Sequence, residues 1–276
     1  MRTRKIVLAA VLLLATGCTS NATPPSDTMP GMPGMAEASA PTTPAIAAAA
    51  PNGTGLTSTF RGYTLVASPP AAGAYTFHIT GPSGKTVTRY QPYESAFVIC
   101  YVIRADLTEF HYLRPAMRED GTWTVELPSL PSGSYRMFTS FAAPDSSQGT
   151  PLVYQLSAPF IVPGTAVSAE NADEYDVSLS GIPRAGKSGP LTIAVTKGGK
   201  PVRSFQRFLD AYVHLTAFHA GDLAYAQILS LGDVAQGSGT TTAEALFPER
   251  GTWRVFAQFE VDGAVHTAAV SITVPY

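Results

Sequence analysis

One nine-residue stretch occurs twice in this chain, and it constrains the fold more than any other feature. Gly133–Phe141 (GSYRMFTSF) returns 118 residues later as Gly251–Phe259 (GTWRVFAQF). Alternation places Tyr135 and Met137 on one side of a strand and Arg136 on the other, and the second copy matches side for side. The motif therefore predicts one half-buried β-strand that is used in two repeats.

Three further pairs of blocks follow the same order at nearly the same offset. They are Gly84–Tyr93 with Gly199–Phe208, Ala105–Leu107 with Gly221–Leu223, and Phe160–Pro163 with Ile272–Pro275. Four matching blocks at nearly constant offset indicate a tandem duplication. A chain of 276 residues has room for two ordinary domains, each large enough to bury a core.

Short apolar runs alternate with turn clusters at intervals of roughly ten residues in the first copy, without helical periodicity. The predicted strands are 62–67, 74–80, 86–90, 96–103, 110–113, 122–127, 134–141 and 153–162. Clusters such as Pro131–Gly133 separate them as turns. This pattern predicts an all-β fold of two tandem Ig-like antiparallel β-sandwich domains.

The first 17 residues have the pattern of an export signal. Three basic residues among the first five precede the apolar run Ile6–Ala15, which is too short to cross a bilayer core of roughly 30 Å. The following Leu14–Cys18 resembles a bacterial lipobox, whose cysteine is diacylated and becomes the mature N-terminus. We therefore expect residues 1–17 to be a lipoprotein signal peptide and Cys18 to carry an extracytoplasmic lipid anchor in the bacterial cell membrane. The alternative is plain secretion.

Residues 18–58 have the composition of a tether. They are rich in Pro, Ala, Ser, Thr and Gly and lack apolar periodicity, so they cannot bury enough surface to offset their ordering entropy. The prediction is a disordered arm, followed by repeat 1 over 59–165 and repeat 2 over 166–276.

Half of the six methionines lie in this arm, where there is no hydrophobic core for them to fill. Met29, Met32 and Met35 recur at a spacing of three, and soft thioethers suit Cu(I). The arm is therefore a candidate Cu(I) site. The alternative is a chance run in a low-complexity linker.

Several function classes are disfavoured. The net charge of −2 offers no basic stripe for nucleic acid. Gly81–Thr86 ends like a phosphate-binding loop but lacks its first glycine, and a strand rather than a helix should follow. No nucleophile has a base and an orienting group at recognisable spacing, so we predict no enzyme activity.

Cys100, within an apolar run, is expected to be a buried free thiol.

Two runs of the second repeat, Leu209–Tyr225 and Phe247–Ala268, resemble exported bacterial proteins that are common in actinobacteria and often described as secreted or heavy-metal-associated. In that family, a histidine before the sequence GDLAY and a His-x-His-Pro after it are the expected metal ligands. His214 matches the first histidine. The positions of the second motif hold Gln227, Leu229 and Ser230. The resemblance thus implies a degraded metal site, with His214 as an auxiliary ligand at most.

The first repeat keeps the proline of that motif, Pro115, but Tyr112 and Arg114 replace its histidines. The counterpart of His214 there is apolar, either Val98 or Ile99. The five histidines are isolated in strand-like surroundings: His78, His111, His214, His219 and His266. Isolated histidines predict little or no Zn(II) or Cu(II) binding by the sandwiches, because such sites need three or four ligands.

The sequence thus leaves two functions open. The first is a membrane-anchored, non-enzymatic lipoprotein that binds or buffers Cu(I) or another heavy metal in the envelope through its methionine arm. The alternative is a protein-interaction or scaffold module without a metal role, which uses loops or an exposed edge strand to hold another envelope protein.

Overall fold

β-Strands form all the regular secondary structure in the part of the chain that can be described. The computed structural model describes residues 54–92, 94–143, 152–165, 174–209, 211–231 and 238–275. These ranges contain seventeen strands and no helix. None of their residues belongs to a helix that is long and apolar enough to cross a membrane. The all-β fold predicted from the spacing of the turns is confirmed.

The first repeat consists of two antiparallel sheets. Its strands are β1 (Thr59–Phe60), β2 (Tyr63–Ala67), β3 (Ala74–Thr80), β4 (Val98–Arg104), β5 (Phe110–Leu113), β6 (Ala116–Met117), β7 (Trp123–Glu126), β8 (Gly133–Ala142) and β9 (Val153–Val162). One sheet has the order β1-β2-β3-β7-β6 and the other β5-β4-β8-β9. From β2 onward, this is the ABED and C′CFG arrangement of an immunoglobulin-like sandwich.

The second repeat has the same strands in sequence but joins them into one sheet. They are β10 (Tyr175–Ser180), β11 (Ser188–Lys197), β12 (Lys200–Pro201), β13 (Val213–His219), β14 (Tyr225–Ser230), β15 (Thr240–Leu246), β16 (Gly251–Val261) and β17 (Ala264–Val274). The order is β10-β11-β15-β14-β13-β16-β17, with β12 on β11. Here β14 pairs with both β13 and β15, so it links the two halves of the sandwich.

The two repeats diverge at a position where the first has a proline. Strand β5 ends at Leu113, two residues before Pro115, which has no N–H and disfavours helical or turn geometry in the residue before it. The chain then enters β6 on the opposite sheet. In the second repeat, Ser230 occupies the position of Pro115. It still belongs to β14 and pairs with Ala243 on β15.

The repeated motif begins at the corner that leads into β8 and β16. Tyr135 Oη donates a hydrogen bond of 2.8 Å to the Pro131 carbonyl. In the second repeat, Trp253 Nε1 donates at 3.2 Å to the Glu249 carbonyl, which again lies four residues upstream. This is the tyrosine corner of immunoglobulin-like domains, with tryptophan in place of tyrosine in the second copy.

One predicted strand is wrong. Residues 86–90 form only an isolated bridge between Thr80 and Thr86. The segment instead crosses towards the other sheet, where the Tyr90 ring lies 5.3 Å from Trp123 and 5.9 Å from Phe141, between ring centroids. Its alternating apolar residues therefore reflect core packing rather than strand pairing.

Each repeat has its own core, and a third cluster joins the two repeats. This cluster contains Ile99, Tyr101, Ile103, Phe110 and Phe138 of the first repeat with Phe218, Leu223, Tyr225 and Phe256 of the second. All these residues lie on the β5-β4-β8 face or on the corresponding β14-β13-β16 face, or in the turns beside them. The repeats therefore pack through equivalent sheets.

Reciprocal contacts relate the two repeats by an approximate twofold axis. The register makes Phe110 equivalent to Tyr225 and Phe138 equivalent to Phe256. The Phe110 and Phe256 rings stack at 4.4 Å, and the equivalent Tyr225 and Phe138 rings lie 6.1 Å apart. A contact and its exchanged counterpart are expected when two copies meet through the same patch. The duplicated chain thus resembles a homodimer fused into one polypeptide.

Candidate functional site

His214, the one predicted ligand within the described residues, lies at the interface between the repeats. Its Nε2 is 3.4 Å from Glu94 Oε2, close enough for an ion pair but not aligned for a hydrogen bond. The register places Ile99 at the equivalent position of the first repeat, as the sequence comparison suggested. His214 thus stands beside a carboxylate of the other repeat. Cys18, Met29, Met32 and Met35 lie outside the described residues.

The sequence suggested isolated histidines, but three of the five lie beside a carboxylate: His111, His214 and His219. His111 Nε2 lies 3.3 Å from Glu109 Oε2, in addition to the His214–Glu94 pair. Burial lowers the pKa of His111, although the carboxylate of Glu109 opposes this effect. Strand alternation and turn geometry bring these acidic residues to the histidines, and single-residue patterns in the sequence do not reveal that.

His219 has the richest surroundings. Its Nδ1 lies 2.9 Å from Asp222 Oδ1 and 3.5 Å from Glu249 Oε1. His219 ends β13, Asp222 lies in the turn after it, and Glu249 belongs to the corner before β16. One potential ligand atom from each of the three lies within 4.8 Å of the others. It is the one such group of three or more His, Cys, Asp or Glu residues in the described ranges.

Local hydrogen bonds fix the turn that carries this cluster. The His219 amide donates to the Ala224 carbonyl at 2.9 Å, and Asp222 Oδ1 accepts from the Ala224 amide at 3.0 Å. Burial alone would raise the pKa of Asp222, but the hydrogen bonds from Ala224 and His219 lower it below its ordinary value. Asp222 is therefore held as a carboxylate.

The equivalent turn of the first repeat has a permanent cation in the place of the histidine. The register makes Arg104 equivalent to His219. Arg104 Nε lies 3.4 Å from Asp106 Oδ2, and its side chain packs on Gly133 just as His219 packs on Gly251. Both turns thus combine a basic side chain with an aspartate, a guanidinium in the first repeat and an imidazole in the second.

A cleft of about 640 Å³ lies between the two repeats. The inter-repeat cleft, as we name it, is lined by Asp106, Leu107, Thr108, Phe110 and His111 of the first repeat and by Tyr175, Asp176, Arg254, Phe256, Thr267, Ala268, Ala269 and Ser271 of the second. Carboxylates, an arginine and aromatic rings thus face one concave surface. Such a surface can hold polar main chain together with apolar side chains.

The groove related to this cleft by the twofold axis is filled by the chain itself. Residues 54–57, which the sequence assigned to the tether, lie in it as an N-terminal segment. The Thr54 carbonyl accepts from Tyr225 N at 2.8 Å, and the Thr57 carbonyl accepts from Ser157 N at 3.0 Å. These residues therefore bridge the edge strand β9 of one repeat and the start of β14 in the other, where Tyr225 is not paired with β15.

An arginine of the repeated motif holds the middle of this segment. Arg136 Nη1 donates to the Leu56 carbonyl at 3.0 Å and to Ser157 Oγ at 2.8 Å. Gly55 is buried, and a Cβ atom there would come within 2.7 Å of the Gln155 side chain and 3.0 Å of Phe138. A glycine is thus needed for the close approach of the main chain.

Cys100 has no features of a catalytic nucleophile. Its side chain is 0 % exposed, and it is a free thiol, as expected from the sequence. Burial raises its pKa to about 12, although a contact with Thr139 opposes this effect. Reactive cysteines have depressed pKa values and some exposure.

The fold and the inter-repeat surfaces define a tandem immunoglobulin-like β-sandwich protein. Residues 169–275 match the model of a family described as a domain of unknown function, DUF8832. The matched range corresponds to the second repeat. No curated protein matches the sequence.

Several solved bacterial structures align with the chain at low identity. Domains 4 and 5 of the S-layer protein SbsC cover 73 % of this chain and 83 % of theirs, with 10 % identity and a TM-score of 0.24. The alignment with InvD of Yersinia pseudotuberculosis covers 78 % of this chain and 58 % of InvD, with 16 % identity and a TM-score of 0.25. The alignment with the D00-D0 domain of intimin covers 76 % of this chain and 98 % of the intimin chain, with 11 % identity and a TM-score of 0.25. At such scores the likeness carries no functional argument, and the fold rests on the strand order.

Proposed function

We propose that this protein is a non-enzymatic module, anchored to the bacterial cell envelope through Cys18, that holds an extended segment of another envelope protein in the inter-repeat cleft. The observation that carries this proposal is the N-terminal segment Thr54–Thr57 in the equivalent groove. The molecule binds extended main chain at one of two related surfaces, and among the residues that the structure describes none occupies the other surface in this way.

The cleft contains the counterpart of the arginine that holds the N-terminal segment in the filled groove. Arg254 is the counterpart of Arg136 in the repeated motif, and its Nη1 donates to Ser271 Oγ at 3.2 Å. Ser271 and Arg254 are directly paired across β16 and β17. Because Arg136 donates to both a serine and a peptide carbonyl, we expect Arg254 to donate to a carbonyl of the incoming segment while it keeps its contact with Ser271.

Strand edges supply the remaining main-chain partners. The register makes Ala269 equivalent to Ser157 and Phe110 equivalent to Tyr225, whose amides bind the N-terminal segment. By this equivalence we expect the amides of Ala269 and Phe110 to point towards the cleft. Addition of an extended peptide to exposed strand edges is a common mode of recognition, in which the main chain supplies affinity and pockets supply specificity.

The cleft should accept larger side chains than the filled groove does. Gln155, which restricts Gly55, is replaced in the cleft by the smaller Thr267, and Pro159 by Ser271. Asp106 and Asp176 also line the cleft. We therefore expect the bound segment to carry a basic residue beside these carboxylates and a small or medium-sized residue against Phe256.

A site-specific photo-cross-linker can test this proposal. Ser271 is exposed in the cleft, so a benzoylphenylalanine there should cross-link the membrane-anchored protein to a discrete partner in living cells. Arg254→Ala should weaken this cross-link at least several-fold. Mass spectrometry of the cross-linked peptide should place it in an extended segment.

The matched control is the same cross-linker at Pro159, the counterpart of Ser271 on the filled groove. There we expect cross-links to the protein's own N-terminal segment only. An intramolecular cross-link from Ser271 in protein purified alone would show that the chain fills its own cleft, which would contradict the proposal. Cys18→Ala tests the anchor separately, because it should release the protein from the membrane fraction or leave it unprocessed.

A further inference from the structure

We infer that His219, Asp222 and Glu249 form a binding site for a divalent transition-metal ion such as Zn(II). The site lies on the other side of the twofold axis from the inter-repeat cleft, in the turn next to the filled groove. It is independent of the proposed peptide binding.

The three side chains offer a suitable set of donors around one point. His219 presents Nδ1 to Asp222 Oδ1 and Glu249 Oε1, at 2.9 and 3.5 Å. An imidazole nitrogen with two carboxylate oxygens is a ligand set that Zn(II) accepts, at ligand distances of about 2.0–2.2 Å. The three donors need to move apart only slightly to take an ion between them, and water can complete a fourth position.

The imidazole is held in the orientation that the ion would require. A Cβ atom at Gly251 would collide with His219 Nε2, and the Trp253 ring lies 5.1 Å from the imidazole between ring centroids. Nε2 therefore faces the protein, and Nδ1 is left to face the carboxylates. Rigid placement of the first ligand by its neighbours is what a metal site needs.

The carboxylates come from two elements that are also fixed. The Ala224 amide holds Asp222, and the Glu249 carbonyl accepts the corner hydrogen bond from Trp253. The side chains are accessible to an ion from solvent, since His219 is 17 % exposed and Asp222 and Glu249 are each 44 % exposed.

Charge distinguishes this turn from its counterpart. In the first repeat, the guanidinium of Arg104 provides a permanent positive charge beside Asp106. The second repeat instead has a histidine with two carboxylates, Asp222 and Glu249. Arg136 interacts electrostatically with Asp222 but donates its hydrogen bonds to the Leu56 carbonyl and Ser157 Oγ. A divalent ion would supply the charge that Arg104 supplies in the first repeat.

This inference replaces the prediction that the sandwiches bind little or no Zn(II). That prediction depended on isolated histidines, and His219 is not isolated. The ligands come from positions 219, 222 and 249, so no compact motif reveals them. An imidazole and hard oxygen donors also favour Zn(II) over Cu(I), which prefers soft sulfur.

The test is isothermal titration of Zn(II) into the full-length mature protein, with Co(II) absorption as a second readout. We expect one saturable site, and visible absorption bands for Co(II). Asp222→Asn and Glu249→Gln preserve shape and should each lower the affinity at least tenfold, as should His219→Ala.

The matched control is Asp106→Asn, which changes the equivalent turn and should leave the affinity unchanged. Circular dichroism and thermal unfolding of each variant separate loss of the site from loss of the fold. Absence of saturable binding in the wild type would overturn the inference. So would equal affinities in the wild type, Asp222→Asn and Glu249→Gln, since any ion would then be bound elsewhere.

Discussion

The two repeats share their framework and differ in the turn after the third long strand. Tyr135 and Trp253 close the same corner, and the motif arginines Arg136 and Arg254 each bond a serine of the last strand. The turn itself carries Arg104 in one repeat and His219 in the other. Duplication thus preserved the positions that define the sandwich, while the turn chemistry diverged.

The surfaces beside these turns differ in the same way. The groove near His219 contains the N-terminal segment, whereas the related cleft near Arg104 is lined by Asp106, Asp176 and Arg254. A symmetric dimer would have two identical grooves. Fusion into one chain removes this restriction, so one groove can become structural and the other can bind a partner.

The largest expected loss of stability comes from a substitution in the interface between the two repeats. Phe256→Ala removes a ring that is 4 % exposed and stacks on Phe110 at 4.4 Å. Truncation of a buried phenylalanine costs about 3–5 kcal/mol, from lost transfer energy and the cavity left behind. We expect a loss of this size in the free energy of unfolding from urea titration, and a second transition if the repeats separate.

The counterpart Phe138→Ala sharpens the comparison, because approximate symmetry predicts a similar loss. Ile161→Ala is the control: its side chain is 73 % exposed, and surface substitutions change stability by about 0.5 kcal/mol or less. A loss below about 1 kcal/mol for Phe256→Ala would mean that the interface contributes little.

The second prediction concerns the corner of the first repeat. Tyr135→Phe keeps the buried ring but removes the hydrogen bond to the Pro131 carbonyl. One such bond contributes about 1 kcal/mol net, so the urea midpoint should fall by a corresponding amount with an unchanged slope. Tyr90→Phe is a second comparison outside any corner: its hydroxyl donates to the Val87 carbonyl and accepts from Trp123 Nε1, so its loss should cost at least as much. If Tyr135→Phe left the midpoint unchanged, the corner would be a packing feature only.

Periodicity and repetition predicted most of the fold. Strand β3 alternates buried Tyr75, Phe77 and Ile79 with more exposed residues, and its predicted bounds are confirmed. The duplication is visible in the shared registers of the two repeats. The strand predicted at residues 86–90 was wrong because apolar alternation also occurs where a connecting segment packs on the core.

The candidate sites were much harder to predict. His219, Asp222 and Glu249 are ordinary residues in the sequence, and only the corner before β16 brings Glu249 to the turn after β13. The cleft depends on how two sandwiches pack, which strand patterns do not specify. The one available signal was the alignment of the repeats, which places His219 opposite Arg104 and thereby marks the turn as different.

The third prediction is a pH effect specific to the first repeat. Burial lowers the pKa of His111 below the ordinary value of about 6.5, with Glu109 opposing this effect. The unfolded state therefore binds more protons than the folded state just below pH 6.5, and stability should fall as the pH falls through this window. Above it, the contribution is constant.

Replacement of His111 by Gln should flatten the dependence of the free energy of unfolding on pH between 7.5 and 5.5. Urea titrations at several pH values measure this slope. The second repeat has Ala226 at the equivalent position, so it makes no matching contribution. A slope that is equally steep in the His111→Gln protein would assign the effect to other groups.

Substitutions in the methionine arm should have the smallest effect on stability, but they should clearly change the binding of Cu(I). Met29, Met32 and Met35 offer soft, neutral thioethers, and we predict weak Cu(I) binding there. Because thioethers need not lose a proton, binding should persist near pH 5. A Met29/Met32/Met35→Ser protein should lose Cu(I) in a competition titration and keep its Zn(II) affinity, while Met117→Ser, a change within the first sandwich, should alter neither. Equal Cu(I) affinity in the wild type and the triple variant would remove the arm from consideration, and any metal binding would then belong to the repeats alone.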